Sequence, residues 1–397
     1  MAKTKLMVTI QEALNLINAE IATLANEVVG IEKMTHRILA EDLVAPIHLP
    51  PFDQSAMDGF ALRLAPNVLS YKIVGELAAG SSQEYKLHPG ECISIYTGAK
   101  VPDTANAVVM QEDAIKNETQ ISLTTDVIIG QHIRTKGEQI AEGTIALTKG
   151  TLLTPSLVGF ICSLGITTTT VYKQPKIVVI ATGSELTLPG TNLSVGKIYE
   201  SNSFMLKSAV EFYQLGFVQI DRSEDSLEAT KKAITKALET ADFILLSGGI
   251  SVGKYDFVER ALTECGVKGV FHKVKQKPGK PLYFGKSDTN KFIFALPGNP
   301  SAAMTSFLIY VFPALKKAAG FPFKGLKKIQ LQLSKDYVKS DERAHLLKSS
   351  IENNKVTILD GQNSDVLKSF AQSTGIAVIP AENKVTLAND FVDVYLL

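Results

Sequence analysis

Cysteine is scarce. The chain of 397 residues holds three, Cys92, Cys162 and Cys265, far apart and without a C-x-x-C spacing. Such an odd, scattered set argues against a disulfide framework and against a thiolate-ligated metal centre. The six histidines form neither H-x-H nor H-E-x-x-H, so no zinc site is expected. An excess of charge of either sign is also missing. Lys+Arg total 41 against Asp+Glu 40, and there is no polybasic tail, so no broad cationic field exists to gather nucleic acid. Long hydrophobic runs are absent as well. The most apolar window, residues 302–315, is interrupted by Thr305, Ser306 and Pro313 and reads as a buried helix rather than a bilayer span. The first ten residues carry two lysines with no apolar leader core behind them. A cytoplasmic protein with no membrane and no nucleic-acid partner is the expectation. Internal repeats and low-complexity segments are lacking too.

What is present is ordinary globular composition, 45% hydrophobic and 20% charged, in a chain long enough for about two to four domains. Thr9 and Glu12 form a capping box ahead of a helix whose Ile10, Ala13, Leu14, Ile17 and Ile21 share one face. Three prolines in Ala45-Pro46-Ile47-His48-Leu49-Pro50-Pro51 enforce an extended connector. Short β runs separated by glycines follow to about residue 142. A second helix opens at Pro155 and stops at Gly165. The order of these segments suggests that the early helical part and this helix pack together around an inserted β module. From Pro175 the pattern becomes strand–helix–strand: strands at 177–180, 217–220, 243–246 and 292–296, with helices at about 203–215, 227–238 and from Pro300. Alternation of this kind predicts a parallel sheet wrapped by helices, with ligands outside the C-terminal strand ends. The last seventy or so residues return to short alternating strands, a small β module.

The chemistry collects at those strand ends. The apolar run 242–246 breaks into Ser247-Gly248-Gly249-Ile250-Ser251-Val252-Gly253, then Lys254 and Asp256. A loop with so little side chain lets backbone N–H groups approach an anion. It also fits the first seven positions of a P-loop, but Tyr255 stands where a small hydroxyl would ligate Mg²⁺, so a P-loop-like NTPase is the lesser reading. Ala181-Thr182-Gly183-Ser184-Glu185 follows the first strand, and Leu296-Pro297-Gly298-Asn299-Pro300 follows the last, with Asn299 as a helix cap. Lys273, Lys275, Lys277 and Lys280 precede the last strand and suit phosphate or another oxyanion. Glu185 and Asp256 are carboxylates of the kind that hold Mg²⁺ beside bound phosphates. Together they predict one cationic, glycine-lined rim.

Several motifs, in this order, carry a family resemblance: residues 51–61 with Asp58, residues 97–102 with Thr97, Thr182-Gly183-Ser184-Glu185-Leu186, Tyr199-Glu200-Ser201-Asn202-Ser203, residues 247–256, 277–281 and 296–300. The chain resembles the molybdopterin molybdenumtransferase family, the MoeA type, also found as the C-terminal part of gephyrin-like proteins. The resemblance covers nearly the whole chain. It implies Mg²⁺-dependent insertion of molybdate into adenylyl-molybdopterin with release of AMP, by a homodimer whose active site is shared between subunits. It assigns catalytic roles to Asp58, Thr97, Glu185 and Asp256, with Glu185 and Asp256 on the metal and Asp58 and Thr97 approaching from the partner. Substrate contacts fall to Asp225 on the nucleotide side, to Ser247, Gly248, Gly249, Ser251 and Gly253, to the four lysines, and to Pro297, Asn299, Arg343 and Ser364. A non-catalytic pterin-binding scaffold is the alternative of a different class.

The whole reading is an α/β multidomain protein. Its central doubly wound α/β domain (174–325) accompanies an inserted β-rich domain (51–142), a helical linker domain (1–50 with 143–173) and a C-terminal small β-barrel (326–397). The chain departs from the family pattern at Ser184, Lys100, Gln139, Leu346, Lys348 and Asn363. Ser184 and Gln139 stand where Asp is common, and Lys348 where the second arginine of its motif stands. The changes at 184, 139 and 100 make the region less negative, which could strengthen molybdate binding or alter which carboxylates reach Mg²⁺.

Overall fold

The computed structural model describes residues 7–250 and 257–397. Ser251, Gly253, Lys254 and Asp256 of the sequence reading lie outside the described residues. The chain divides into two units, one of Val28–Thr35 and Leu39–Val171, the other of Met1–Glu27, His36–Ile38 and Tyr172–Leu397.

Helix α1, Ile10–Glu20, starts with the capping box its sequence announces. Thr9 Oγ1 accepts from the Glu12 amide (3.2 Å), and Glu12 Oε2 accepts from the Thr9 amide (2.8 Å). Ala13, Ile17 and Ile21 bury their side chains in the same apolar cluster as Phe307 and Val311. Helix α1 thus contributes to the core of the second unit.

In the first unit, strands β1 (Gly59–Leu62), β2 (Ser70–Leu77), β3 (Glu91–Ile95), β4 (Ala107–Met110), β5 (Ala114–Lys116) and β6 (Gln120–Leu123) form one sheet in the order β4-β1-β3-β2-β6-β5. Alternation along the strands sends Ala61, Ile93 and Val108 into one apolar cluster and Phe60, Cys92 and Val109 into another. Helix α2, Pro155–Ser163, is capped by Thr154, whose hydroxyl accepts from the Leu157 amide, and the chain turns out of it through Gly165 at φ +76°. Its Ile161 packs with Met34, Leu39 and Val171.

Cysteine reactivity follows from this packing. Cys92 is fully buried between sheet residues, and desolvation pushes its thiol up to about 12, whereas Cys162 is exposed. An aromatic disulfide reagent at pH 8 is expected to modify Cys162 in the native protein and to reach Cys92 only after unfolding. Rapid native-state labelling of Cys92, read by peptide mass mapping, would contradict this burial.

The second unit holds a six-stranded sheet. Its elements are β7 (Lys176–Thr182), α3 (Asn202–Phe212), β8 (Phe217–Ser223), α4 (Leu227–Thr240), β9 (Phe243–Ser247), α5 (Val258–Glu264), β10 (Val267–His272), β11 (Tyr283–Ser287) and β12 (Phe292–Leu296). The strand order is β8-β7-β9-β12-β11-β10. Strands β8, β7, β9 and β12 run parallel, with Ile177 level with both Val218 and Phe243. Strands β11 and β10 add an antiparallel edge that the parallel expectation omits. The two faces separate residue by residue. Ile177, Val179, Phe243, Leu245, Phe292 and Phe294 pack with α1 and α3, while Val178, Ile180, Ile244, Leu246 and Ile293 pack with α4 and α5. A parallel sheet covered on both faces therefore reads as continuous apolar runs.

After β12 come α6 (Pro300–Ser306), a buried π-helical turn (Phe307–Val311) and α7 (Phe312–Ala318), the apolar segment that the sequence suggests is an interior helix. The C-terminal strands β13 (Lys328–Leu333), β14 (Ala344–Glu352), β15 (Lys355–Ile358), β16 (Gly375–Ile379) and β17 (Phe391–Leu396) close into a five-stranded barrel in the order β14-β15-β13-β17-β16-β14. Among the described residues no helix is long and apolar enough to cross a membrane.

Candidate active site

A cavity of about 320 Å³ lies at the C-terminal ends of β7, β9 and β12. Three strand-end loops wall it: Thr182 and Gly183 with Glu185, then Gly248 to Ile250, then Pro297 to Asn299. Asp225, from the turn before α4, and Ser364, from the barrel, complete opposite parts of the lining. The position is the one a doubly wound sheet reserves for ligands, because the loops diverge there and helix N-termini point inward.

Two glycines make the wall thin. Gly248 and Gly249 have φ of +92° and +64°, and a Cβ on Gly248 would stand 2.5 Å from the Thr182 carbonyl oxygen. The loops are also cross-linked from below. Asn202, the first residue of α3, donates through Nδ2 to Ser247 Oγ (2.9 Å) and to the Gly298 carbonyl (2.7 Å), tying the ends of β9 and β12 together. Its partners lie far away in sequence, so only the Tyr199-Glu200-Ser201-Asn202-Ser203 motif marked the residue. Asn299 Nδ2 donates to Ser364 Oγ (2.6 Å), joining the third loop to the barrel. Carboxylates Glu185 and Asp225 share the cavity lining. Asp225 and Gly183 also line a neighbouring cavity of about 830 Å³, together with Arg222 and Ser226.

The lysines are distributed differently from the single cationic rim that the sequence suggests. From residue 274 to 278 the chain buries alternate residues, Val274, Gln276 and Pro278, and turns Lys275 and Lys277 to solvent. Gln276–Lys277 pairs with β14, placing Lys277 level with His345. Lys275 accepts through its carbonyl from the Ala344 amide. Lys275 and Lys277 thus stand on the barrel seam near Arg343, and Lys273 sits beside His272. Lys280 is the one flanked by cavity-lining residues, Gly279 and Pro281. None of the four side chains lines the cavity among the described residues. The turn that carries them is fixed from inside: Tyr310, on the π-helical turn, donates to Gln276 Oε1, and Gln276 Nε2 donates to the Gly279 carbonyl (3.2 Å).

Arg343 forms an ion pair with Asp341 (2.7 Å). Asp341 also accepts from the Arg343 amide and faces His345 Nε2 (3.1 Å). The Arg343 guanidinium hydrogen bond, then further donors, hold the Asp341 carboxyl well below the usual carboxylate range. With that carboxylate accepting from Nε2–H, Nδ1 is left as acceptor for the Tyr337 hydroxyl (2.9 Å).

Asp58 and Thr97 belong to the other unit. Thr97 donates to Asp58 Oδ1 through its amide (2.7 Å) and its hydroxyl (2.8 Å), and these two bonds, the amide first, hold the Asp58 carboxyl below its ordinary value. Asp58 stays an anion near neutrality and lines a cleft of about 370 Å³ with Glu112 and Lys116.

A glycine-walled, carboxylate-bearing cavity at the C-terminal strand ends of a doubly wound sheet is the ligand-site arrangement of an α/β enzyme class. Comparison with known proteins narrows the class. Residues 8–165 match the MoeA N-terminal region (domain I and II), and residues 178–317 match a probable molybdopterin binding domain. Relatives named molybdopterin molybdenumtransferase occur in Staphylococcus epidermidis and Staphylococcus aureus. The first is 30% identical over 98% of this chain and 95% of its own length, the second 30% over 95% and 90%. The crystal structure of a molybdopterin biosynthesis MoeA protein from Pyrococcus horikoshii superposes with a TM-score of 0.82 at 29% identity, covering 98% of this chain and all of that one. The chain belongs to the molybdopterin molybdenumtransferase family, and it is a transferase of molybdenum cofactor biosynthesis.

Proposed function

We propose that this enzyme inserts molybdate into the dithiolene of adenylyl-molybdopterin and releases AMP, with Mg²⁺. One observation carries the reading: two carboxylates, Glu185 and Asp225, line the same cavity as the glycines Gly183, Gly248, Gly249, Gly279 and Gly298. Thin glycine walls admit a bulky phosphoanhydride close to main-chain N–H groups. A pair of carboxylates beside phosphate oxygens is the donor set Mg²⁺ takes, since it keeps most of its waters. Glu185 and Asp225 would hold the ion, with Asp256 a further candidate; when bound, it neutralises charge on the anhydride oxygens. Asn299 and Ser364 orient the substrate from the opposite wall. Molybdate is a dianion and suits Lys280, which is flanked by cavity-lining Gly279 and Pro281, with Lys277 and Arg343 on the barrel seam. The sulfurs that accept the metal belong to the pterin, which suits a chain without clustered cysteines.

In this reading the enzyme works as a homodimer in the cytoplasm, and Asp58 with Thr97 reaches the cavity of the partner subunit. The two Thr97 bonds fix the ionised Asp58 carboxylate by one oxygen, so that it can orient a water. The deciding experiment incubates the protein with adenylyl-molybdopterin and Mg²⁺ and compares AMP release with and without molybdate. Molybdate-dependent release is expected. Binding without any release points to a scaffold. Asp58→Ala should fold normally and abolish release; wild-type turnover in that variant removes Asp58 from the site.

A further inference from the structure

The cavity wall contributed by the barrel is a short loop, residues 361–366, and the geometry of its anchoring centres on one buried cation. Lys348, on β14, is 2% exposed. Its Nζ donates to Ser301 Oγ, to the Gly361 carbonyl and to the Val366 carbonyl, each at 2.9 Å. An ammonium has three donors, so all are satisfied. Gly361 and Val366 are the two ends of the loop, and Ser301 lies in the first turn of α6. The main chain of Lys348 adds a fourth and fifth tie. Its amide donates to Gln362 Oε1 (3.1 Å) and its carbonyl accepts from Gln362 Nε2 (2.8 Å). Between these anchors the loop presents Ser364, which accepts from Asn299 Nδ2 through its hydroxyl and from the Ala302 amide through its carbonyl.

Every hydrogen-bond partner of the Lys348 ammonium is a neutral oxygen, and the Phe370 ring centroid lies 5.6 Å from Nζ. Burying an ammonium without a directly paired carboxylate is costly, and burial draws the Lys348 amine below its ordinary value, opposed in part by the charge of Asp365 in the same loop. An apolar residue would fill the space more cheaply, but it could not fasten the two ends of a loop to a helix at once. We propose that Lys348 is a positioning residue for the substrate cavity: it pins the base of the 361–366 loop to α6 and so holds Ser364 against Asn299 in the cavity wall. The inference rests on the reading of that cavity as the substrate site. It also gives a role to a position where the family pattern has arginine.

The test uses the full-length enzyme and two readouts, amide hydrogen exchange and steady-state kinetics with adenylyl-molybdopterin. In Lys348→Met, which keeps the stem but removes charge and donors, exchange across 361–366 is expected to rise about tenfold, and KM to rise about tenfold with kcat within about threefold. Lys348→Arg retains charge and donors and should recover part of both. Ser301→Ala removes only the Lys348 tie to α6, leaving the Ala302–Ser364 bond, and should speed exchange in the loop by about threefold. A folded Lys348→Met enzyme with wild-type loop exchange and wild-type KM overturns the proposal. Should Lys348→Met not fold, unchanged loop exchange in Ser301→Ala overturns it. Ser364→Ala separates the two layers of argument: a raised KM there beside an inert Lys348→Met sinks only the positioning role. Inert Ser364→Ala and Glu185 variants would instead sink the cavity assignment.

Discussion

Glu185→Gln is expected to lower kcat by about a hundredfold, or ~3 kcal/mol of transition-state stabilisation, while leaving thermal stability close to wild type. The two halves of that expectation have separate sources. Glu185 is exposed, and its carboxylate curls back over Gly183, whose missing Cβ leaves the room: a methyl there would meet the Glu185 oxygens at 2.8 and 2.9 Å. No core packing depends on it, so the fold loses little. The amide keeps the shape and an acceptor oxygen but removes the charge. If Glu185 helps to hold Mg²⁺ beside the anhydride, the variant should also need more Mg²⁺ for half-maximal AMP release. A Mg²⁺ titration at saturating substrate checks both. Wild-type kcat with an unchanged Mg²⁺ requirement would reduce Glu185 to a turn residue.

The parts of this enzyme that could be read from sequence are those encoded locally. The runs at 177–180, 243–246 and 292–296 are apolar at every position because β7, β9 and β12 are covered on both faces. The capping box at Thr9 is a four-residue signal and is formed as written. Ser247-Gly248-Gly249 and Pro297-Gly298-Asn299 could be placed at strand ends because composition changes abruptly there. What could not be read depends on distant pairing. Strands β10 and β11 are marked only weakly, since Gly269 and Gly285 interrupt them and a register shift between Gly269 and Phe271 breaks their alternation. Barrel closure rests on β14 meeting both β15 and β16, a matter of register across the chain. The four lysines are close in sequence, yet the extended segment buries Val274, Gln276 and Pro278 and turns Lys275 and Lys277 to the solvent face, so proximity did not translate into a pocket lining. Asn202 joins the site through bonds to residues 45 and 96 positions away, which no local pattern announces.

Gly248→Ala should be the most damaging single-methyl change in the cavity wall. At φ +92° an alanine is outside the regions L-residues favour, which alone costs about 1 kcal/mol or more. Its Cβ would then lie 2.5 Å from the Thr182 carbonyl oxygen and 3.2 Å from Thr182 Oγ1. Thr182 closes β7, whose neighbour Ala181 is level with Ser247 on β9, so the carbonyl cannot retreat without disturbing the central pairing of the sheet. A total loss of about 2–4 kcal/mol from the α/β unit is expected, with AMP release falling further because the loop that lines the cavity must move. Gly298→Ala supplies the contrast. Its Cβ would meet only the Gly248 Cα, at 3.6 Å, an ordinary contact, and Gly298 is absent from the positive-φ residues. That variant should keep near-normal stability, yet it adds a methyl to the same cavity and should raise KM. Urea unfolding and AMP-release kinetics on the pair distinguish damage to the scaffold from obstruction of the site. Equal stability of the two variants would mean that the wall at Gly248 yields more easily than its backbone contacts imply.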